Sequence, residues 1–271
     1  MNTWIGVFAA LFLWSWAAQA QLGPRIVNGA EVEEGSEIAQ QTVLLEAKMM
    51  RASFICTAVI LNEQVLMTAA HCLGGNFWAD IVAHFTVKKQ KTGIRLKVVN
   101  RTAVRWPLPA DTKDWDDIAL LKLERPIPTN YRPVRLQNLP VLGTDSKVIL
   151  AGYGRYKARA DNGDGGAGIL RWTEQNILEF PYGAREVRIN IEGGGTCHGD
   201  SGGPVFVERE DGLDLMGIAS RLTVRNKVSD GNGRNPPEYA CLYDIIYGQV
   251  WPHATWVDAV LKEWGFAPRF N

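Results

Sequence analysis

The sequence predicts an all-β protein of closed antiparallel sheets with one helix at its C-terminal end, on three observations. Short runs rich in apolar and β-branched residues recur, broken by polar ones: Thr42 to Leu45, Phe54 to Leu61, Val65 to Thr68, Ile94 to Val104 and Ile118 to Leu123. Such runs suit pleated, half-buried strands. Pro107, Pro109, Pro126, Pro128, Pro133 and Pro140 punctuate the middle of the chain, and a proline lacks the N–H that a helix interior needs. Strands at this spacing with proline and glycine turns close into antiparallel sheets. In the tail, Trp256, Val257, Val260, Leu261 and Trp264 recur at helical spacing, with Thr255 and Asp258 as a cap and Gly265 as a stop. Such an apolar stripe reads as core packing, tryptophans included.

A chain of 271 residues that is 46% apolar can bury one large or two small cores. Its 29 basic and 29 acidic residues balance, which argues against a nucleic-acid partner or an anionic membrane surface. Trp4 to Ala18 is almost wholly apolar and runs into Ala18-Gln19-Ala20, a small-x-small pattern expected of a cleaved secretory signal over residues 1–20. Met1-Asn2-Thr3 departs from that pattern in offering no Lys or Arg. Four cysteines, an even number, fit export to an oxidising compartment, extracellular or periplasmic. Asn100-Arg101-Thr102 fits the glycan acceptor pattern of a eukaryotic secretory pathway.

The chemistry concentrates in Gly195-Thr196-Cys197-His198-Gly199-Asp200-Ser201-Gly202-Gly203-Pro204. Glycines on both sides of a serine suit backbone that turns sharply or comes close to another molecule. A serine hydroxyl is a weak nucleophile, so such a loop needs a base and an orienting acid from elsewhere. His71, in Thr68-Ala69-Ala70-His71-Cys72, and Asp117, before Ile118-Ala119-Leu120, supply candidates.

These pieces, with Ile26-Val27-Asn28-Gly29 and Ala151-Gly152-Tyr153-Gly154, resemble the chymotrypsin-like, trypsin-fold serine endopeptidases and stand in that family's order. The resemblance covers nearly all of the chain after Arg25. It implies two six-stranded antiparallel β-barrels, here residues 26–139 and 140–271, the second carrying the C-terminal helix. It implies a triad of His71 as base, Asp117 as the acid that fixes the imidazole, and Ser201 as nucleophile. An oxyanion hole would come from the N–H groups of Gly199 and Ser201, and disulfides would join Cys56 to Cys72 and Cys197 to Cys241. Asp116 reads as a solvated neighbour of the acid, while His84 and His253 read as structural or exposed and His198 as a residue of the cleft rim.

The resemblance also implies a zymogen. An activating protease would cut after Arg25, removing a propeptide of residues 21–25, and the new α-amino group of Ile26 would pair with Asp200. Polypeptides would be the substrates and the enzyme a monomer. No His/Cys/Asp cluster has zinc spacing, and the acidic loop 161–168 lacks the spacing of a helix-loop-helix calcium site, so neither metal nor cofactor is expected.

Specificity departs from the family pattern. Gly195, where an Asp would select Arg or Lys, supplies no countercharge, and Thr196 follows it. Ser220-Arg221-Leu222 replaces the usual Ser-Trp-Gly wall, and Ile245 faces it. Leu222 and Ile245 should shallow the pocket, so small or medium apolar side chains are expected, not Arg or Lys. A weaker expectation has Arg221, His198 or Thr196 meeting an acidic side chain. The stretch Arg225 to Glu238 is longer than the usual connection. An alternative from another class is a catalytically weak relative that acts as a protein-binding module. An α/β-hydrolase esterase would need the order Ser, Asp, His, which this chain lacks.

Overall fold

A computed structural model describes residues 29–49, 52–74, 80–105, 114–136, 142–156, 165–190, 195–223, 241 and 244–270. The expected signal and propeptide, Arg25, Ile26 and the stretch 225–238 lie outside the described residues.

Two closed six-stranded barrels form the body. The first takes β2 (Thr42–Met49), β3 (Ala52–Ile60), β4 (Val65–Thr68), β5 (Asp80–Phe85), β6 (Ile94–Ala103) and β7 (Ala119–Leu123), closed in the order β2-β3-β4-β7-β6-β5. The second takes β8 (Lys147–Gly152), β9 (Arg171–Tyr182), β10 (Glu186–Ile189), β11 (Pro204–Arg209), β12 (Gly212–Thr223) and β13 (Asp244–Gln249). Its order is β9-β10-β13-β12-β11-β8, and pairing of β8 with β9 closes it. The short β1 (Ala30–Glu31) pairs with β9, so the chain begins its described course on the second barrel before building the first.

The five strand runs expected from composition coincide with β2, β3, β4, β6 and β7 to within a few residues. Their apolar residues fill a continuous core: Val43, Leu45, Ile60, Leu66, Met67, Leu120 and Leu121 are all buried. A separate cluster, including Leu150, Ile177, Val205, Met216 and Tyr247, fills the second barrel. Burying apolar surface at about 25 cal/mol per Å² is the main force holding each barrel. A five-residue helix, α1 (Glu37–Gln41), enters β2 behind the N-cap Ser36, whose hydroxyl accepts from Ala39 N–H.

The terminal helix, α2 (Ala254–Glu263), buries Val257, Val260 and Leu261 against the core that the first barrel shares, and Trp251, Trp256 and Trp264 pack on it. Gly265, at φ 84°, terminates it. The expected cap is corrected. Thr255 lies inside the helix, no side chain caps it, and the Asp258 carboxylate accepts instead from the N–H groups of Arg269 and Phe270, where it pins the returning tail.

Candidate active site

Strand pairing brings the histidine and the acid together. In the antiparallel register of β4 and β7, Thr68 opposes Ala119, so the residues just after β4 and just before β7 leave at the same end of the barrel. His71 sits in a 3₁₀ turn (Ala70–Leu73), and Asp117 lies two residues ahead of β7. The result is a two-point grip. His71 N–H donates to Asp117 Oδ1 at 3.0 Å, and Nδ1 of the ring lies 2.8 Å from Asp117 Oδ2. The Asp117 side chain is wholly buried, whereas a third of the His71 side chain is exposed.

A third donor comes from the other barrel. Between β12 and β13 the register shifts at Ala219/Arg221, leaving Ser220 as the extra residue of a bulge, a device that re-aims a side chain. The Ser220 hydroxyl donates to Asp117 Oδ2 at 2.8 Å. Burial alone would push the Asp117 carboxyl up, but its bonds from His71 and Ser220 outweigh that and hold it below the usual carboxylate range.

Ser201 lies in the turn between Cys197 and β11, and Thr57 of β3 fixes that turn across the barrel interface. Thr57 N–H donates to Ser201 O at 2.8 Å, and its hydroxyl donates to Gly199 O at 3.0 Å while accepting from Tyr153 N–H at 3.0 Å. Glycine is required at two places. A Cβ on Gly202, at φ 80°, would run into the Thr68 hydroxyl and the Thr57 carbonyl; one on Gly199, at φ 103°, would press on Gly154 Cα at 3.0 Å and on Ile55. The N–H groups of Gly199 and Ser201 make no hydrogen bond among the described residues, so both remain available to an incoming oxygen.

The Cys56–Cys72 disulfide ties the strand before His71, and its sulfurs lie within 4.8 Å of a His71 ring nitrogen. Cys72 Sγ is 3.6 Å from Ser201 O, which puts histidine and serine segments against the same bridge. No hydrogen bond joins the Ser201 hydroxyl to His71 among the described residues. Cys197–Cys241 closes the second bridge. Chain-entropy arguments assign loops of this size about 3 to 4 kcal/mol each.

Asp200 is buried beneath the Ser201 loop. Its carboxylate accepts from Gly154 N–H at 2.7 Å and Cys197 N–H at 2.8 Å. Burial pushes its carboxyl up to about 6, against the pull of those two donors and of the positive Arg171.

A profile described as Trypsin matches residues 26–238, a span holding His71, Asp117, Asp200, Ser201 and Ser220. The chain belongs to the trypsin family of serine endopeptidases. It is 31% identical to a protein named trypsin from Simulium vittatum, over 74% of this chain and 84% of the relative. To kallikrein-8 of Rattus norvegicus it is 25% identical, over 76% of this chain and 80% of the relative. To serine protease SP24D of Anopheles gambiae it is 23% identical, over 89% of this chain and 83% of the relative.

In this trypsin-family member a recess of about 290 Å³ opens beside Ser201, lined among others by Thr196, Ser220, Leu222 and Ile245. Gly195 is buried but does not line it. Leu222 and Ile245 are cross-strand partners, so both narrow the same part of the recess. Among the described residues no carboxylate lines it.

Two readings of charged neighbours change. Asp116 is not solvated: at φ 54° it turns its carboxylate onto Arg185, 2.8 Å away, with His253 Nε2 at 3.5 Å. Arg221 lines the recess, yet its guanidinium is bound to both oxygens of buried Glu186, at 2.6 and 2.7 Å, and lies 4.4 Å over the Trp115 ring. Its charge is compensated.

These contacts form a clasp that sequence reasoning missed. Asp114 accepts from Ala184 and Arg185 N–H groups, Trp115 N–H donates to Glu186 Oε1, and Arg185 holds Asp116. The segment leading into Asp117 is thereby fastened to the hairpin between β9 and β10. The cluster Asp114, Asp116 and Asp117 was a visible signal; its partners, some seventy residues away, were not. His84 is structural, buried against Glu46 at 3.1 Å.

Proposed function

We propose that the protein is a secreted serine endopeptidase made as a zymogen, with Ser201, His71 and Asp117 as its triad. The observation that carries this is the Asp117 carboxylate, buried, bonded to His71 and Ser220, and set beside a nucleophile loop that presents two free N–H groups. In the reaction, His71 takes the Ser201 proton as the oxygen attacks the peptide carbonyl, and Asp117 stabilises the imidazolium. The N–H groups of Gly199 and Ser201 receive the developing oxyanion, the amine leaves with the proton, and water hydrolyses the acyl-enzyme by the same route.

Activation follows loss of residues 1–20 and then a cut after Arg25 by another protease. A buried carboxylate without a cation is costly, and the new Ile26 ammonium gives Asp200 its counterion, completing the alignment of Ser201 with His71.

The recess selects small or medium apolar side chains on the acyl side of the bond. Its described lining has no carboxylate to partner Arg or Lys, and with Arg221 already paired it offers Asp or Glu little. Treatment of the secreted precursor with an Arg-specific protease tests this reading. It predicts a new N-terminus of Ile-Val-Asn-Gly, simultaneous onset of cleavage after Ala or Val, and no cleavage by the Ser201→Ala protein. Onset of preferential cleavage after Arg or Lys contradicts the specificity. Processing with no peptidase activity leaves a binding protein on a protease scaffold.

A further inference from the structure

A second recess, of about 300 Å³, lies on the other side of the nucleophile loop from the first. His198 borders both; Phe54, Ile55, Lys89, Arg155 and Gly199 are among the other residues that line this one. Its lining sets Phe54 and Ile55 beside two cations and an imidazole.

Backbone bonds hold that lining in place. Arg155 N–H donates to His198 O at 3.0 Å, so the loop after β8 and the nucleophile loop move together. Lys89 N–H donates to Gly168 O at 2.6 Å, and Gly168 N–H to Tyr153 O at 2.7 Å, which ties the third loop to the same frame. Among the described residues Glu46 is the one carboxylate within ion-pair distance of any of the three, and it sits 3.2 Å from Lys89. Glu46 also serves His84. Among the described residues Arg155 has no carboxylate partner. A half-buried guanidinium without a counterion, beside apolar side chains, is suited to a carboxylate that approaches with its chain extended.

We propose that this recess is a specificity site for acidic side chains on the leaving-group side of the scissile bond, with Arg155 as its principal anchor and Lys89 in support. The inference rests on the peptidase reading above. If the acyl-side chain occupies the recess formed by Thr196, Leu222 and Ile245, a peptide whose carbonyl reaches the Gly199 and Ser201 N–H groups lays its departing half over Gly199 and into the basic recess. Asp or Glu one to three positions beyond the bond would lie there. The substrates are therefore polypeptides with a small apolar residue before the bond and an acidic one shortly after it.

A proteome-derived peptide library, digested by the Arg25-cleaved protein and read by mass spectrometry, tests this without assuming the acyl-side preference. Asp and Glu are expected to be enriched at one of the three leaving-side positions, with Glu favoured over Gln by about fivefold in matched peptides, the scale of a partly exposed ion pair. Arg155→Glu should reverse the order so that Lys outranks Glu at that position. Because the readout is a ratio within one protein, a general loss of rate does not obscure it. Abundant cleavage with no leaving-side acidic enrichment, or enrichment untouched by Arg155→Glu, overturns the proposal while leaving the peptidase intact. No cleavage and no labelling of Ser201 by a fluorophosphonate overturn the peptidase reading itself.

Discussion

Thr57 N–H donates to the carbonyl oxygen of Ser201 at 2.8 Å, while its hydroxyl bridges Gly199 O and Tyr153 N–H. A residue of the first barrel thus holds the loop of the second from beneath. Replacing Thr57 with Val keeps the shape and removes the hydroxyl, leaving a buried carbonyl and a buried N–H unpaired. The cost should be about 1 to 3 kcal/mol in denaturant unfolding, with slower fluorophosphonate labelling of Ser201. Thr57→Ser should restore most of both.

Asp117 has three donors, and its loss should scale with what each does. Asp117→Asn reverses hydrogen-bond polarity toward His71 and should lower kcat about ten-thousand-fold, the magnitude such triads show. Ser220→Ala removes one charge-assisted bond and should lower kcat by about tenfold, with KM little changed. Steady-state kinetics on one peptide checks both; equal losses would contradict the assignment.

Asp200 makes the uncleaved chain pH-sensitive. Its carboxyl stands at about 6 against an ordinary 3.8, so this group's contribution to stability is full below pH 3.8 and is lost as pH rises through 6. The difference amounts to about 3 kcal/mol. Denaturation of Arg25→Gln protein at pH 4.5 and 7.5 should show about 2 kcal/mol of that loss, and the further Asp200→Asn change should flatten the slope. Cleavage after Arg25 should flatten it too, because the ammonium stabilises the charged carboxylate.

Glu186 keeps Arg221 out of the chemistry. Glu186→Gln removes the carboxylate while leaving an oxygen for Trp115 N–H, and it turns Arg221 into an uncompensated cation on the wall of the acyl-side recess. Cleavage after Asp or Glu, relative to Ala, should rise by about fivefold. An unchanged ratio in a peptide panel would mean that Arg221 does not reach the recess charged.

What the sequence made legible was local. Val65 to Thr68 is a run of four apolar or β-branched residues and is a strand with those ends, and Gly265 ends its helix as its position required. The second barrel was harder. Strands such as β9, whose residues from Arg171 to Tyr182 mix charged, polar and aromatic types, lack clean alternation because bulges shift their register. The proposed triad positions came from short motifs, but the Thr57 bridge, the Ser220 bulge and the clasp of Asp114 and Asp116 depend on pairings between barrels. No periodicity records those. Asp116 misled for the same reason: its counterion, Arg185, lies 69 residues away in sequence.

The most direct measurement is mass-spectrometric localisation of a fluorophosphonate on the Arg25-cleaved protein, compared with His71→Ala and with the uncleaved chain. Stoichiometric labelling of Ser201 that depends on His71 and on cleavage is the predicted result. Labelling that is absent after complete processing, or equally fast without His71, would contradict the account.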